Sequence, residues 1–471
     1  MDLSTMAKRR FSTPRATTLI VASSIGTYLL ILTGVSNALA NTANACSGWP
    51  LCNGPWFGSP ETTLVFGHRI AAFTVGLLLL WTGYIVLTQS HSSKVRFGLG
   101  AALLLYPFEV FIGAQAAVSG TTTAISTIHL VFALTIFSAL MAALVWQLEA
   151  HDSERVVQTD DPNPEPSPDD EDAKPGSAEP KNPGPLTIGR AYLRLTKPYL
   201  WWLLGLVALA SMGLAAQGIP PFGTALATIA GGVLAIGASG TFNNVLERDR
   251  DKLMARTNDR PLVTDIIPPH RAVAFGFLLL GASMAVFLSF VNVLAAGLGL
   301  LAVLFYSVVY TVILKPNTDQ NTVIGGAVGA LPALIGWAAI TDSVGMPAIV
   351  LGAVVFLWTP AHFYNLALIY KADYARAGFP MLPVVRGEQT TRRHIAAFLG
   401  ATMLAAVLLG TASGLGPLYA TVAVLFGALF LVATVRLHRI QTDLAAKRTF
   451  IAANAYLGAV LFAVVIDTMI V

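Results

Sequence analysis

Charged residues are scarce in this chain. Lys, Arg, Asp and Glu make up 11% of its 471 residues, against about a quarter in an ordinary soluble domain. Segments that alternate between apolar and polar residues over about ten positions are also missing, which argues against a transmembrane β-barrel. The chain instead is 55% hydrophobic, with a mean hydropathy of +0.67 and repeated apolar runs of about 20 residues. These features predict an all-α, polytopic membrane protein.

The apolar runs predict thirteen membrane-spanning helices, each long enough to cross about 30 Å of hydrocarbon. Four precede residue 150, at 17–39, 64–88, 95–118 and 124–148. Nine follow residue 195, at 200–217, 222–246, 271–290, 293–314, 323–341, 346–367, 394–412, 416–436 and 450–470. We interpret the first run as a membrane span rather than as a cleavable signal peptide.

Lys and Arg residues are confined to alternate loops. They occur in "SSKVR", "YLRLTKP" and "RLHRIQTDLAAKR" and are absent from "SGTTT", "QGIPPFG" and "TDSVG". Because cytoplasmic loops are enriched in these residues, the pattern predicts a multi-pass protein of the cell membrane with a cytoplasmic N-terminus and an outer C-terminus. The same pattern accounts for the net charge of +4 without any binding of nucleic acid.

An acidic, proline-rich segment interrupts the spans at residues 151–190. It includes "DDPNPEPSPDDEDAKPGSAEPKNPGP" and has no apolar periodicity, so it cannot bury a hydrophobic core. We predict a disordered cytoplasmic linker there. It would divide the chain into a four-helix module, residues 1–150, and a nine-helix bundle, residues 191–471.

The most densely charged stretch of the chain follows the sixth predicted span. Nine of the fourteen residues at 247–260 are charged. Asn243, Glu247 and Asp251 are spaced to share one helix face, with Asn244 close beside it. Carboxylate and amide oxygens are ligands that Mg²⁺ accepts, often together with phosphate oxygens of a substrate. The spacing therefore predicts a Mg²⁺ site on the cytoplasmic side.

Basic residues follow these oxygen ligands within about two turns, namely Lys252, Arg256 and Arg260. Guanidinium groups pair with phosphate oxygens in a bidentate manner. A diphosphate site requires carboxylates that bind the metal ion and basic side chains that bind the phosphate oxygens, and this stretch offers both. The alternative is a solvated loop at the membrane surface, with ion pairs among its own side chains.

This stretch resembles the first aspartate-rich motif of the UbiA-type intramembrane prenyltransferases, which read Asn-Asp-x-x-Asp-x-x-x-Asp followed by Arg-Thr and Arg-Pro. Here Asn stands at the second position and Glu at the central one, and both keep an oxygen ligand. The Asn-Asn opening is similar to the protohaem IX farnesyltransferase (haem O synthase) branch. So are "RLTKPY", "LKPNTDQNTVIGGAVGALPALIGW" and "TPAHFYNLALIYKADYARAGFPMLPVVRG". The resemblance covers about residues 190–471 and implies the family's nine-span fold.

The resemblance implies transfer of a farnesyl group from its diphosphate to a vinyl group of haem b, giving haem O, with Mg²⁺ as cofactor. It implies catalytic roles for Asn243, Glu247, Asp251 and Asp373. It implies diphosphate binding by Lys197, Lys252, Arg256, Arg260, Lys371 and Arg386. His362 is a candidate contact of the haem substrate, an acid-base group or a buried structural histidine. The alternatives are prenyl transfer to a quinone precursor or an archaeal-type lipid, or a non-catalytic haem carrier or oxidase-assembly factor.

Two histidines lie inside spans of the four-helix module. His68 in "VFGHRIAAF" and His129 in "STIHLVFAL" are each about five residues from the predicted outer end of a span. Two facing imidazoles can ligate a haem iron, and ionisable residues within spans are commonly functional. The alternative is a pair of hydrogen-bonded interfacial histidines. Cys46 and Cys52 share one outer loop, where a disulfide is favoured over a metal site because no further ligands are near.

These two segments and "ACSGWPLCNG" resemble the N-terminal half of haem A synthase. The resemblance implies a haem held by His68 and His129. That family has a glutamate three residues before its first histidine, where this chain has Val65, so we do not expect haem A synthase activity. Haem A synthase itself or oxidase-assembly proteins are candidate partners.

Overall fold

The computed structural model describes residues 3–40, 42–46, 48–52, 56, 58–156 and 184–470. Within these residues, thirteen helices are long and apolar enough to cross a membrane. The predicted fold class and the predicted number of spans are therefore confirmed. Most of the linker predicted at 151–190 lies outside the described residues.

The first four helices are α1 (Leu3–Leu39), α2 (Pro60–Thr88), α3 (Ser93–Ser119) and α4 (Thr123–Val156). The side chain of Ser59 accepts the amide hydrogen of Thr62 in a capping box and so begins α2. Ser92 caps α3 in a similar way. Helix α1 packs against α2 and α4, and α3 packs against α4.

The later helices run without strands between them over residues 184–470. They are α5 (Pro185–Leu195), α6 (Trp201–Ala216), α7 (Phe222–Leu246), α8 (Arg248–Asp251), α9 (Pro269–Phe290), α10 (Val293–Leu304), a π-helix (Phe305–Leu314), α11 (Lys315–Asn317), α12 (Asn321–Gly325), α13 (Ala327–Thr341), α14 (Met346–Ile369), α15 (Lys371–Arg376), α16 (Leu382–Val385), α17 (Gly387–Ser413), α18 (Pro417–Ile440) and α19 (Asp443–Ile470).

The chain forms two compact units; one limit between them falls within the predicted linker, and two others lie far beyond it. The first unit contains residues 1–159 and 396–445, and the second contains residues 160–395 and 446–471. Within the first unit, α18 packs against α1 and α4, and Gly400 of α17 lies against Met141 of α4. Side-chain packing therefore groups two late helical segments with the first four helices. The division into domains 1–150, 151–190 and 191–471 stays a prediction.

The second unit is held together by close helix crossings. Helix α7 packs along α9, and α6 packs along α13. Gly336 of α13 faces the carbonyl oxygen of Ala208 in α6, and a Cβ at Gly336 would stand only 2.3 Å from that oxygen. Small residues permit such an approach between helices in a membrane. The π-helix packs against α7. The charged residues that directly follow these two elements, Lys315 and Glu247, are paired with each other.

Candidate active site

Two buried carboxylates follow the end of α7. The residues Glu247 and Asp251 are 3% and 1% exposed, although they lie in the most charged stretch of the chain. Helix α7 ends at Leu246, yet the amide of Glu247 donates to the carbonyl of Asn243 and the amide of Asp251 donates to that of Glu247. Helical backbone hydrogen bonds thus continue past the end of α7. The three side chains share one inward face, while the Asp249 side chain is 89% exposed.

Two cations are paired with these carboxylates. The Lys315 ammonium is 2.6 Å from Oε1 of Glu247, and the Arg260 guanidinium donates to Oδ2 of Asp251 over 2.6 Å. These pairs supply the hydrogen bonds and opposite charge that a carboxylate needs when it leaves water.

Burial and neighbouring charges act on the titratable groups in opposite directions. For Glu247, burial alone would raise the pKa, but the charges of Lys315 and Lys197 outweigh it and hold the pKa below its usual value. For Asp251, burial raises the pKa and the charge of Glu247 adds to that effect, in spite of Arg260. Burial lowers the pKa of Lys197 to about 8. The two carboxylates therefore differ in how easily each of them ionises.

Lys197 reaches the site from a strained turn. Its backbone has φ 52° and ψ 61°, a left-handed conformation that costs about 1–3 kcal/mol in a residue other than glycine. Its ammonium donates to Oδ1 of Asn243 over 2.5 Å and to the hydroxyl of Tyr306 over 3.2 Å. Gly240 permits this turn to lie against α7, because a Cβ there would stand 2.9 Å from the carbonyl oxygen of Leu195. Such strain is typical of functional sites.

The π-helix contributes residues that the sequence did not single out. Thr311 donates to the carbonyl of Tyr306, five residues earlier, and accepts the amide side chain of Asn243 over 3.0 Å. Lys315 follows directly after the π-helix. A π-helix within a longer helix is frequent at functional sites. Lys315 was missed because a lysine beside a span is already explained by the positive-inside pattern.

The predicted metal ligands Asn243 and Asn244 have other partners in the structure. Asn243 bonds to Lys197 and Thr311, as described above. The amide of Asn244 donates to the carbonyl of Gly240 over 2.7 Å and to that of Leu195 over 3.4 Å, which ties α7 to the end of α5. Metal binding by these two residues stays a prediction.

Asp373 holds the loop that follows α8. Its Oδ1 accepts the amide of Ala255 over 3.2 Å, and its Oδ2 accepts the amide of Arg256 over 3.1 Å. Oδ1 is also paired with the guanidinium of Arg376. The Arg256 side chain donates to the hydroxyl of Tyr374 over 3.3 Å. Asp373 thereby fixes the backbone from which Arg256 extends.

Three of the predicted diphosphate ligands lie at the surface of the protein. Lys252 pairs with Asp249 over 2.9 Å, Lys371 pairs with Glu388 over 3.0 Å, and Arg386 pairs with Asp319. The three basic side chains are between 43% and 59% exposed. The structure does not bring them to the buried carboxylates, and their role stays a prediction.

His362 of α14 is buried in an aromatic stack that includes a residue of α19. Its ring lies between the rings of Trp358, at 4.3 Å, and Phe450, at 4.2 Å. Its Nδ1 is buried and has no hydrogen-bond partner in the part of the chain that the structure describes. A role in contacting haem stays a prediction, and the stacking is also what a structural histidine would show.

An apolar cavity opens beside the charged residues. Lys197, Gly240 and Tyr306 line its polar end, and it follows α7 from Gly240 to Thr228. These thirteen residues of helix span about 18 Å, since each of the twelve steps between them rises by about 1.5 Å. Further along, the walls are almost wholly apolar and include Ile335 of α13. The arrangement suits a molecule with an anionic head and a long apolar body.

The predicted residues of the N-terminal module lie as follows. Cys46 and Cys52 form a disulfide, and the Arg69 guanidinium donates to the carbonyl of Gly48 within the loop that it closes. Nδ1 of His68 is 3.0 Å from a side-chain oxygen on α1, and Nδ1 of His129 is 3.0 Å from one on α3. Each imidazole is thus contacted by a neighbouring helix.

The sequence pattern of the UbiA prenyltransferase family matches residues 204–458, which include the buried carboxylates and most of the residues that line the cavity. The chain belongs to this family. It is 49% identical to the "Protoheme IX farnesyltransferase" of Halobacterium salinarum over 96% of this chain and 97% of that relative. It is 52% identical to the "Protoheme IX farnesyltransferase 1" of Natronomonas pharaonis over 96% of this chain and 98% of that relative.

Among solved structures, this UbiA-family chain is similar to one described under digeranylgeranylglyceryl phosphate synthase. The TM-score is 0.51 at 16% identity, over 60% of this chain and 99% of that one. This likeness supports the helical fold alone. The two curated relatives, by contrast, extend over nearly all of this chain and therefore over its first helices as well.

Proposed function

We propose that this prenyltransferase transfers a farnesyl group from farnesyl diphosphate to a vinyl group of protohaem IX and gives haem O. The observation that carries the proposal is the pair of buried carboxylates, Glu247 and Asp251, which are paired with Lys315 and Arg260 and lie near Lys197. Lys197 in turn lines an apolar cavity. Relatives with the matching name are about half identical over almost the whole chain, as given above. Both proposed substrates combine anionic groups with a large apolar body, which suits a site at the membrane surface.

The residues at the carboxylates fit a divalent cation. Oδ1 of Asp251 is buried and has no hydrogen-bond partner among the described residues. No three His, Cys, Asp or Glu side chains gather anywhere in the described part of the chain, so the protein would supply two carboxylates at most. Mg²⁺ is commonly bound in this way, through one or two carboxylates, water and substrate phosphates. When bound, it would neutralise charge on the diphosphate leaving group.

Cationic side chains of the protein would also stabilise negative charge on the diphosphate. Lys197, Lys315 and Arg260 lie where charge grows on the diphosphate as the allylic C–O bond breaks. Fixed cations at a site that excludes water stabilise developing charge much more than the same groups do in solution. The new C–C bond forms between C1 of the prenyl chain and the terminal vinyl carbon. Water then adds at the neighbouring carbon and loses a proton, which gives the hydroxyethyl-farnesyl side chain.

One assay tests the proposed reaction. Membranes containing the protein are supplied with haem b, Mg²⁺ and farnesyl diphosphate, and the pigments are extracted and weighed by mass spectrometry. We expect a pigment heavier than haem b by one farnesyl group and one hydroxyl group. Membranes with Glu247→Gln are the control. Unchanged haem would reject the proposal, and parallel reactions with a quinone precursor or an archaeal-type glycerol lipid would then identify the acceptor.

We also propose that the active site faces the cytoplasm and that the C-terminus lies outside. The confinement of Lys and Arg to alternate loops supports this orientation. A reporter enzyme that is active only outside the membrane, fused after Val471, should be active. The same reporter fused after Gln441, at the end of α18, should be inactive. The reverse result would invert the topology.

We propose that the N-terminal helices hold a haem between His68 and His129. Two glycines support this. A Cβ at Gly34 would lie 3.2 Å from Cε1 of His68, and a Cβ at Gly113 would lie 3.3 Å from Cε1 of His129. Each ring edge therefore faces a helix at a position where any side chain larger than that of glycine would crowd the ring. The bound haem would supply a redox-active iron, and haem A synthase or oxidase-assembly proteins are the partners we propose for it.

The absorption spectrum of the purified full-length protein tests this second proposal. We expect the Soret band and the sharp visible bands of a low-spin haem with two histidine ligands. Their loss in both His68→Ala and His129→Ala, with prenyl transfer retained, would support the assignment. Wild-type protein that contains no haem, even after addition of haem b, would reject it.

A further inference from the structure

The tautomer of His68 is set by a hydroxyl group on α1. Oγ1 of Thr33 lies 3.0 Å from Nδ1 of the imidazole. The single hydroxyl hydrogen of Thr33 is directed at the carbonyl oxygens of Leu29 and Leu30, at 2.9 and 3.1 Å. A hydroxyl that donates to either carbonyl is left to accept from the imidazole, and this arrangement favours the tautomer with hydrogen on Nδ1 of His68. The lone pair of the neutral ring is then left on Nε2.

His129 is approached in the same manner by a carboxylate on α3. Oε1 of Glu109 lies 3.0 Å from Nδ1 of His129. An ionised carboxylate can only accept, so this contact also favours hydrogen on Nδ1 and the lone pair on Nε2. The contact is not yet an aligned hydrogen bond, and within the described residues Oε2 of Glu109 is buried without a partner. A small rotation of the ring would align the pair.

Glycine stands opposite the other nitrogen in both cases. A Cβ at Gly34 would be 3.8 Å from Nε2 of His68, and a Cβ at Gly113 would be 3.5 Å from Nε2 of His129. Gly34 directly follows Thr33 on α1, and Gly113 lies one helical turn after Glu109 on α3. Each neighbouring helix therefore carries an acceptor for Nδ1 and, close to Nε2, a glycine that adds no side chain to crowd this nitrogen.

We infer that Glu109 and Thr33 are positioning residues that orient His129 and His68 as iron ligands, and that they do so unequally. The inference rests on the proposed haem site. A metal-ligating histidine commonly donates its second N–H to a carboxylate or carbonyl, which fixes the ring and raises its basicity as a ligand. The carboxylate of Glu109 does this for His129, whereas the neutral hydroxyl of Thr33 fixes His68 with little gain in basicity.

The two partners predict different effects on the iron. A more basic ligand stabilises ferric over ferrous haem and lowers the reduction potential. Replacing the carboxylate with an amide should therefore shift the potential upward. Replacing the hydroxyl with a methyl group should shift it less, because the removed group is neutral. A purely structural role for either residue predicts no such difference between the variants.

The experiment uses purified full-length protein with haem bound. The variants are Glu109→Gln, Thr33→Val, Glu109→Asp and the control Glu61→Gln, which alters an exposed carboxylate in the first turn of α2. The midpoint potential is measured by optical redox titration, and the electron paramagnetic resonance spectrum reports the ligand field. The rate of prenyl transfer by the same preparations reports folding.

We expect Glu109→Gln to move the potential upward, Glu109→Asp to restore part of the shift, and Glu61→Gln to have no effect. Loss of haem from Glu109→Gln alone, with prenyl transfer retained and haem regained in Glu109→Asp, would also support the inference. A potential and spectrum unchanged in Glu109→Gln, or shifted equally in Thr33→Val, would overturn it. Wild-type protein without haem would instead reject the haem site on which the inference rests.

Discussion

The ammonium of Lys315 lies 2.6 Å from Oε1 of Glu247, and both groups are buried at the end of α7. The two residues are 68 positions apart in the chain, and the π-helix brings them together. The pair places a cation and the carboxylate that we propose as a metal ligand within one hydrogen bond of each other. When a metal ion and a diphosphate bind, we expect Glu247 to contact the metal ion and Lys315 to contact the diphosphate.

Lys315→Met removes the cation and leaves Glu247 buried without its partner. Loss of one member of a buried ion pair destabilises by about 3–5 kcal/mol. We expect kcat/KM for prenyl transfer to fall at least about 100-fold, the size of effect seen when one preorganised charge-stabilising group is removed. Lys94→Met, at an exposed position on α3, is the control. In the double variant with Glu247→Gln the losses should not add, because residues in contact are typically coupled by about 0.5–3 kcal/mol. Additive losses would mean that the two groups act separately.

Glu247→Gln should weaken the dependence on Mg²⁺ far more than Asp249→Asn. The first change removes a charge that is buried on the inward face, and the second alters a side chain at the surface. We expect the half-saturating Mg²⁺ concentration to rise at least about 10-fold for Glu247→Gln, by comparison with losses at groups that support metal sites. The measurement is the rate of prenyl transfer by each variant as a function of Mg²⁺ concentration. Equal effects of the two changes would show that the inward face is not the metal-binding face.

The alkaline limb of the pH profile should report Lys197. Its pKa is lowered to about 8 by burial, so the ammonium is charged below this pH and neutral above it. A diphosphate is attracted only by the charged form. We therefore expect kcat/KM for the prenyl diphosphate, which reflects the free enzyme, to fall as the pH rises through about 8. Lys197→Arg, whose charge persists above about pH 12, should remove this fall whatever its overall rate. An unchanged alkaline limb would assign it to another group.

Asp373→Asn tests whether this residue holds a loop or a metal. The amide group can replace only one of the two oxygens that accept the backbone hydrogens of Ala255 and Arg256. A buried donor left without its partner costs about 1–3 kcal/mol. We expect KM for the diphosphate to rise roughly tenfold or more for a loss of this size, while the Mg²⁺ requirement stays unchanged. Asp259→Asn, at the surface near the same loop, is the control. A raised Mg²⁺ requirement would instead identify Asp373 as a metal ligand.

Gly240→Ala should impair the site, whereas Gly232→Ala should not. Both glycines lie in α7 and line the cavity. A Cβ at Gly240 would stand 2.9 Å from the carbonyl oxygen of Leu195 and 3.3 Å from Cγ of Lys197, whereas nothing lies within 4 Å of a Cβ at Gly232. We expect a several-fold lower rate for Gly240→Ala and a near-normal one for Gly232→Ala, with thermal stability measured in parallel. Similar rates would show that the Lys197 turn can move aside without loss.

The sequence alone predicted the thirteen spans and the inward face of the charged stretch. Apolar runs are set by the thickness of the bilayer, and residues four apart share a helix face, so both features can be read from local spacing. The spacing of four residues also explains why Glu247 and Asp251 are both buried, whereas Asp249, on another face, is exposed. The break of α7 at Leu246 was not visible in the sequence, and the backbone hydrogen bonds across it kept the face intact.

Only the tertiary structure decided which bases reach the buried carboxylates. Lys252 lies next to them in the sequence but pairs with Asp249 at the surface, and Lys315 lies far along the chain but pairs with Glu247. Proximity along the chain says little here, because helix packing and the π-helix determine which side chains meet in space. The same reason explains why α18 packs with the first four helices, and why Glu109 of one helix meets His129 of another. The sequence by itself determined the membrane fold and its residue chemistry, and packing between distant helices determined the partners.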